Sequence, residues 1–288
     1  MLLKLNSRGS DVATLQELLN LKSDGIFGKQ TENAVKEFQN ANNLKADGIV
    51  GTKTWDALNS LDTDNSIQVN GLYEKYHLSN GEYSKNKTNK EYVFIHHTAG
   101  WHNPYNTIKR WDSDNRGMIA TEFVIGGQNI RNDDNSFDGK ILQAFPSGHY
   151  AWHLGKNGNQ NMHTNSVGIE LNNFGYIQQN KTYAGQYVHE RQRVTLKDEF
   201  RGYKVWHKYS NFQIQSLEKL LKFIAERDSI DIRKGLPSLI KEKGAKAFEF
   251  NEDAFYGRIK GLWTHTNTRK DKFDCFPQEE LMDMLVSL

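Results

Sequence analysis

Phe94-Ile95-His96-His97-Thr98-Ala99-Gly100 is the stretch on which the reading of this chain turns. Tyr92 to Ile95 is a short run of apolar β-branched and aromatic residues, the pattern of a buried strand. Two histidines end it, and small residues then let the chain turn away. A side chain at the end of a buried strand is held rigidly and can face a cleft, which is what a metal asks of a ligand. An isolated histidine in such a place is more often a satisfied core residue. The segments around it therefore decide the matter.

Downstream, Tyr105 to Trp111 reads as a short helix with Ile108 and Trp111 facing inward. Thr121-Glu122-Phe123-Val124-Ile125 reads as a second strand, Lys140 to Phe145 as a third and Ser166-Val167-Gly168-Ile169-Glu170-Leu171 as a fourth, apolar until its glutamate. Ile214, Leu217, Leu220, Leu221 and Ile224 form a helical stripe of ordinary core type, and Gln278 to Val286 closes the chain as another amphipathic helix. Residues 180–209 and 230–258 are charged and read as insertions on the same scaffold. Strands interleaved with helices predict an α/β domain over 91–288, its central sheet flanked by helices.

Upstream lies an internal repeat. Asp24-Gly25-Ile26-Phe27-Gly28 returns as Asp47-Gly48-Ile49-Val50-Gly51, and Thr31 and Ala34 return as Thr54 and Ala57, always at an offset of 23. Each Asp-Gly turn places glycine where a positive φ is expected. Apolar faces precede, separate and follow the turns: Val12, Leu15, Leu18 and Leu19 behind a Ser10 cap, then Ala34, Val35 and Phe38, then Trp55, Leu58 and Leu61. Three short helices over 1–62 follow. Residues 63–90 are polar and without a period, which predicts a linker with a docking segment at Leu72-Tyr73-Tyr76.

The bulk composition narrows the function. With 37 basic and 35 acidic residues the net charge is +2, and no basic stripe of the kind a nucleic-acid protein carries is present. One cysteine excludes an internal disulfide framework. The mean hydropathy is −0.75, and no apolar run is long enough for a membrane span or a signal peptide. Synthesis in the cytoplasm is the expectation, with monomer as the default state. Near the C-terminus, His265, Lys272, Asp274 and Cys275 lie within one short stretch. Zinc takes nitrogen, oxygen or sulfur donors, three of them from the protein in a catalytic site, and His96, His265 and Asp274 make such a set.

The repeat resembles the peptidoglycan-binding domain found at the ends of wall hydrolases. The resemblance runs over residues 1 to about 62 and rests on Gln16, Asp24, Gly25, Thr31, Gln39, Asp47, Gly48 and Thr54, among others. The second domain resembles the zinc N-acetylmuramoyl-L-alanine amidases shared by phage lysins, wall-recycling enzymes and peptidoglycan recognition proteins. Its anchors are Ile95-His96-His97-Thr98-Ala99, Thr121 to Ile125, Ala151-Trp152-His153-x-Gly155, Ser166 to Glu170 and Lys272-x-Asp274.

The resemblance implies zinc held by His96, His265 and a third ligand two residues after Lys272. That spacing selects Asp274, whereas the proline that usually follows the ligand directly comes only at Pro277 and keeps Cys275 open. It implies Glu170 as general base, Lys272 as oxyanion support and His153 as a lining of the substrate cleft, with His163 and Asn165 as weaker members of the same wall. His97 is left for packing or for support behind the metal ligands, and Thr121 stands where some relatives carry a catalytic tyrosine. The implied activity is cleavage of the amide between N-acetylmuramic acid and L-alanine of the stem peptide, in the manner of an endolysin freed by a holin. A non-catalytic peptidoglycan-recognition protein and a zinc peptidase cutting within the stem peptide are the alternatives.

Overall fold

In the computed structural model, which describes residues 2–19, 21–42, 44–63, 71–132 and 134–288, the chain divides into two compact units, Met1–Gln68 and Val69–Leu288. The first holds helices α1 (Ser10–Leu18), α2 (Lys29–Ala41) and α3 (Thr52–Thr63). They close on Val12, Leu15, Phe27, Val35, Val50 and Leu58. The offset of 23 has a hydrogen-bonding cause. The Gln16 amide donates to Asp24 Oδ1 at 2.8 Å and Thr31 Oγ1 at 3.1 Å and accepts from the Gly25 N–H at 2.9 Å. Gln39 repeats this with Asp47 at 3.1 Å, Thr54 at 3.2 Å and Gly48 at 2.9 Å. Each turn thus hangs on one buried amide whose capacity is filled. Gly25 and Gly48 take φ of 69° and 71°, where a side chain is strained. The side chains of Ser10, Leu18 and Leu61 lie outside the described residues, as does the stretch 64–70.

The second unit is built on strands β1 (Glu74–Lys75), β2 (Tyr92–His97), β3 (Phe123–Ile125), β4 (Ile141–Gln143), β5 (Ser166–Leu171), β6 (Arg193–Phe200), β7 (Tyr203–His207) and β8 (Gly261–Thr264). Its helices are α4 (Pro104–Ser113), α5 (Asn161–Thr164), α6 (Asn211–Asp228), α7 (Leu236–Lys243), α8 (Glu252–Phe255), α9 (His265–Thr268) and α10 (Glu279–Ser287). Six strands form one mixed sheet in the order β1-β4-β3-β5-β2-β8. β2 lies between β5 and β8 and runs parallel to both, which is why all six of its residues are buried. The register sets His96 opposite Glu170 and Ile95 opposite Thr264. Three parallel strands therefore end side by side, the position at which open α/β sheets present their sites. Among the described residues no helix is long and apolar enough to cross a membrane.

The segment read as a linker departs from that reading. From residue 71 it belongs to the sheet unit: β1 pairs with β4, and the Tyr76 and Leu78 N–H groups donate to the Gln143 and Ala144 carbonyls. Leu78 and Tyr83 join the core of Ile108, Trp111, Val124 and Phe145. Its few apolar residues are spaced without a period, yet Leu78 and Tyr83 are buried, and Tyr76 partly so, against residues distant in sequence. The second and third strands are shorter than expected, Phe123–Ile125 and Ile141–Gln143. The charged stretches are ordered parts of the unit: β6 and β7 make an antiparallel hairpin anchored by buried Phe200 and Trp206, and α7 and α8 enclose buried Phe248 and Ala254.

Candidate active site

The side chains that end β2 divide between two environments, because successive residues of a strand face opposite ways. His97 turns into the core, its Nδ1 2.8 Å from the Tyr209 hydroxyl and its ring packed on Phe276. His96 turns to the site. β8 passes directly into α9, whose first residue is His265, and the loop beyond brings Asp274 back; the Thr266 N–H donates to the Asp274 carbonyl at 3.0 Å.

His96, His265 and Asp274 converge as a triangle. His96 Nδ1 lies 3.1 Å from His265 Nδ1 and 3.2 Å from Asp274 Oδ2, and His265 Nδ1 lies 3.1 Å from Asp274 Oδ2. Both histidines are buried, and the Asp274 side chain is 13% exposed. The far nitrogens are also engaged: His265 Nε2 donates to the Leu154 carbonyl at 3.0 Å, and His96 Nε2 meets His153 Nδ1 at 2.9 Å. A carbonyl only accepts, so His265 Nε2 carries a hydrogen, and a ring that holds only that hydrogen presents a lone pair at Nδ1. Two acceptors, that nitrogen and the Asp274 carboxylate, thus face each other and require a positive centre between them. A proton on His96 Nδ1 or a metal cation meets the requirement, and two imidazoles with a carboxylate are donors that a divalent cation accepts.

The electrostatics agree. Burial pushes the His96 ring down to about 4, keeping it neutral. Burial would push the Asp274 carboxyl up, but His265 and His96 hold it well below the ordinary carboxylate range.

These residues lie in a groove of about 750 Å³ that also takes in Glu170, Lys272, His153 and Thr121. Glu170 is beside His96 in register, and its Oε2 is buried without a partner among the described residues. Burial, and then the charge of Asp274, push its carboxyl well above the usual range. Lys272 is half-buried on the groove wall. Cys275 stands apart: it is fully buried beside Tyr209 and outside the triangle. His153 lines the groove but spends both ring nitrogens within the protein, the second on Ser166 Oγ at 2.7 Å. His163 and Asn165 are not in the groove wall; His163 donates to the Gly155 carbonyl at 2.9 Å. Thr121 is buried and donates its hydroxyl hydrogen to the Phe123 carbonyl at 2.9 Å.

Sequence reasoning missed Ser166 and the far wall, where Tyr183 reaches over to donate to the Ala99 carbonyl at 2.8 Å. Nothing local marks either residue, since each acts on a partner distant in the chain.

The solved structures that the chain resembles include a fused Zn-dependent amidase/peptidase/peptidoglycan-binding domain-containing protein from Clostridium acetobutylicum, 41% identical over 20% of this chain and 29% of that one, with a TM-score of 0.20. Another is a Burkholderia AP3 phage endolysin, 44% identical over 20% of this chain and 24% of that one, TM-score 0.20. A third is the N-acetylmuramyl-L-alanine amidase AmiD from E. coli, 21% identical over 52% of this chain and 48% of that one, TM-score 0.33. The chain thus spans less than a third of the first two relatives. No curated protein sequence matches it. A family model for a peptidoglycan binding domain matches residues 8–58. A second model, described as N-acetylmuramoyl-L-alanine amidase, matches residues 86–245, which include His96, His153 and Glu170 and stop short of His265 and Asp274. That match covers more than half of the chain, which belongs to the N-acetylmuramoyl-L-alanine amidase family.

Proposed function

We propose that the second unit hydrolyses the amide between the lactyl group of N-acetylmuramic acid and the L-alanine that begins the peptidoglycan stem peptide, with zinc held by His96, His265 and Asp274. The donor triangle carries this reading. Zinc at bond lengths of about 2.0–2.1 Å spaces tetrahedral donors about 3.3 Å apart, close to the 3.1 to 3.2 Å separations of the three atoms. Bound there, zinc supplies a Lewis acid that polarises the scissile carbonyl and makes water a better nucleophile.

The chain's own residues do the rest. Glu170, which lines the groove and whose buried Oε2 has no partner among the described residues, takes a proton from the attacking water and returns it to the leaving amine nitrogen. Its raised affinity for a proton suits a group that must hold one between those two events. Lys272 offers its ammonium to the carbonyl oxygen as charge develops. Family membership and the match of residues 8–58 to a peptidoglycan binding domain support the same substrate, with the first unit holding the wall. Pairing a wall-binding repeat with an amidase unit also supports a lysin that acts after holin release; a gene outside any phage or prophage region would count against that part.

The test is metal content and turnover of a muramyl-L-alanyl peptide by the full chain. One zinc per chain, activity lost to a chelator and regained with zinc, is the expected result. Glu170→Gln is expected to keep the zinc and lose about 10²–10⁴-fold in turnover. A variant within a few-fold of the parent would remove Glu170 from the chemistry.

A further inference from the structure

Two hydrogen bonds behind His96 serve none of the roles above. His96 turns Nδ1 toward His265 and Asp274, and its Nε2 meets His153 Nδ1 at 2.9 Å. The other nitrogen of His153 meets Ser166 Oγ at 2.7 Å. Ser166 is buried, opens β5 and pairs with Tyr92 at the start of β2. Gly168, two residues on, makes the room: a Cβ there would stand 3.1 Å from His153 Nδ1 and 2.7 Å from Thr121 Cγ2. The result is a row of three groups, Ser166, His153 and His96, running from the start of one strand to the end of its neighbour.

A neutral imidazole carries one hydrogen, and only its bare nitrogen can bind a metal. For His265 the Leu154 carbonyl fixes the hydrogen on Nε2. His96 has no carbonyl behind it. Its Nε2 faces another imidazole, which accepts or donates according to where its own hydrogen lies, and that ring in turn faces a hydroxyl that does either. When the His96 hydrogen moves to Nε2, His153 Nδ1 accepts it and His153 Nε2–H finds Ser166 Oγ. Each ring N–H in the row is then paired, and His96 Nδ1 is bare. Without His153 or Ser166, that tautomer leaves a buried N–H unpaired.

We propose that His153 and Ser166 are positioning residues that stabilise the tautomer of His96 competent to bind the metal, a role that rests on the zinc reading above. His153 acts through His96, although it lines the substrate groove. Neither residue touches the reacting atoms.

The experiment measures zinc affinity on the full chain by chelator competition, with ¹⁵N imidazole shifts recorded on the zinc-loaded parent. His153→Phe is expected to weaken zinc binding about 10–100-fold and Ser166→Ala about tenfold, as loss of outer hydrogen bonds does at metal histidines. Ser166→Thr keeps the hydroxyl and is expected to stay within about twofold of the parent. The loaded parent is expected to show His96 protonated at Nε2, a readout that needs no variant to fold. His153→Phe and Ser166→Ala both within twofold of the parent would overturn the proposal alone, whereas a hydrogen on His96 Nδ1 in the loaded protein would overturn it together with His96 as a zinc ligand. A parent that binds no zinc would overturn it together with the metal reading.

Discussion

His207 shows at a single residue how the core sets a pH limit. It is 2% exposed, its Nδ1 accepts the Phe174 N–H at 3.2 Å, and its Nε2 has no partner among the described residues. Burial, with His97 nearby, pushes the ring down to about 3. An unfolded chain takes up a proton at this residue below about pH 6.5, while the folded chain does so only near pH 3. Between those values the unfolded state binds more protons, so stability falls as the pH falls. Urea unfolding of the metal-free protein is expected to lose about 2 kcal/mol between pH 7 and pH 5 through His207 alone. His207→Asn is expected to flatten the slope by that amount, and an unchanged slope would place the pH sensitivity elsewhere. At this scale the sequence was legible where strand ends announce themselves, as at His96 and Glu170. It was silent on His207 and Ser166, whose roles depend on rings brought up from far along the chain.

Among the elements, the hairpin of β6 and β7 explains why charged stretches resisted reading. Arg201 at its turn donates to the Lys270 carbonyl at 2.6 Å and the Thr266 carbonyl at 3.2 Å, and pairs with Glu249 at 3.3 Å. Tyr203 stacks on Tyr176 at 3.8 Å, and both rings meet Phe273. The hairpin grips the loop that carries Lys272 and Asp274, and the charge of Arg201 is spent on carbonyls no local pattern foretells. The end of α6 is tied in the same way. Arg227 pairs with Glu122, just before β3, at 2.7 Å, with side-chain exposures of 6% and 1%. Asp228 binds the same guanidinium at 2.6 Å. Arg227→Met would leave the Glu122 carboxylate buried without its cation, at a cost of about 3–5 kcal/mol. Chemical denaturation checks this, and a loss below 1 kcal/mol would mean that water or a rearranged side chain takes the place of the arginine.

For the whole molecule, the 23-residue offset and the order of strand-end motifs made the three-helix repeat and the α/β unit readable in advance. Glycine turns and buried amides recur with a fixed period, and a parallel sheet writes its strands as apolar runs. The start of the second unit was less legible, because Leu78 and Tyr83 reach its core from a polar, aperiodic segment. The two nearest candidates for the third ligand were separated by packing: Asp274 faces the histidines while Cys275 lies under Tyr209.

The central claim concerns which bond is cut. Mass spectrometry of the products released from purified peptidoglycan by the full chain, with and without chelator, tests it most directly. Free stem peptides beginning at L-alanine, absent when the metal is chelated, are the predicted result. Shortened stem peptides with the remainder still joined to muramic acid would contradict it, as would an intact wall to which the protein merely binds.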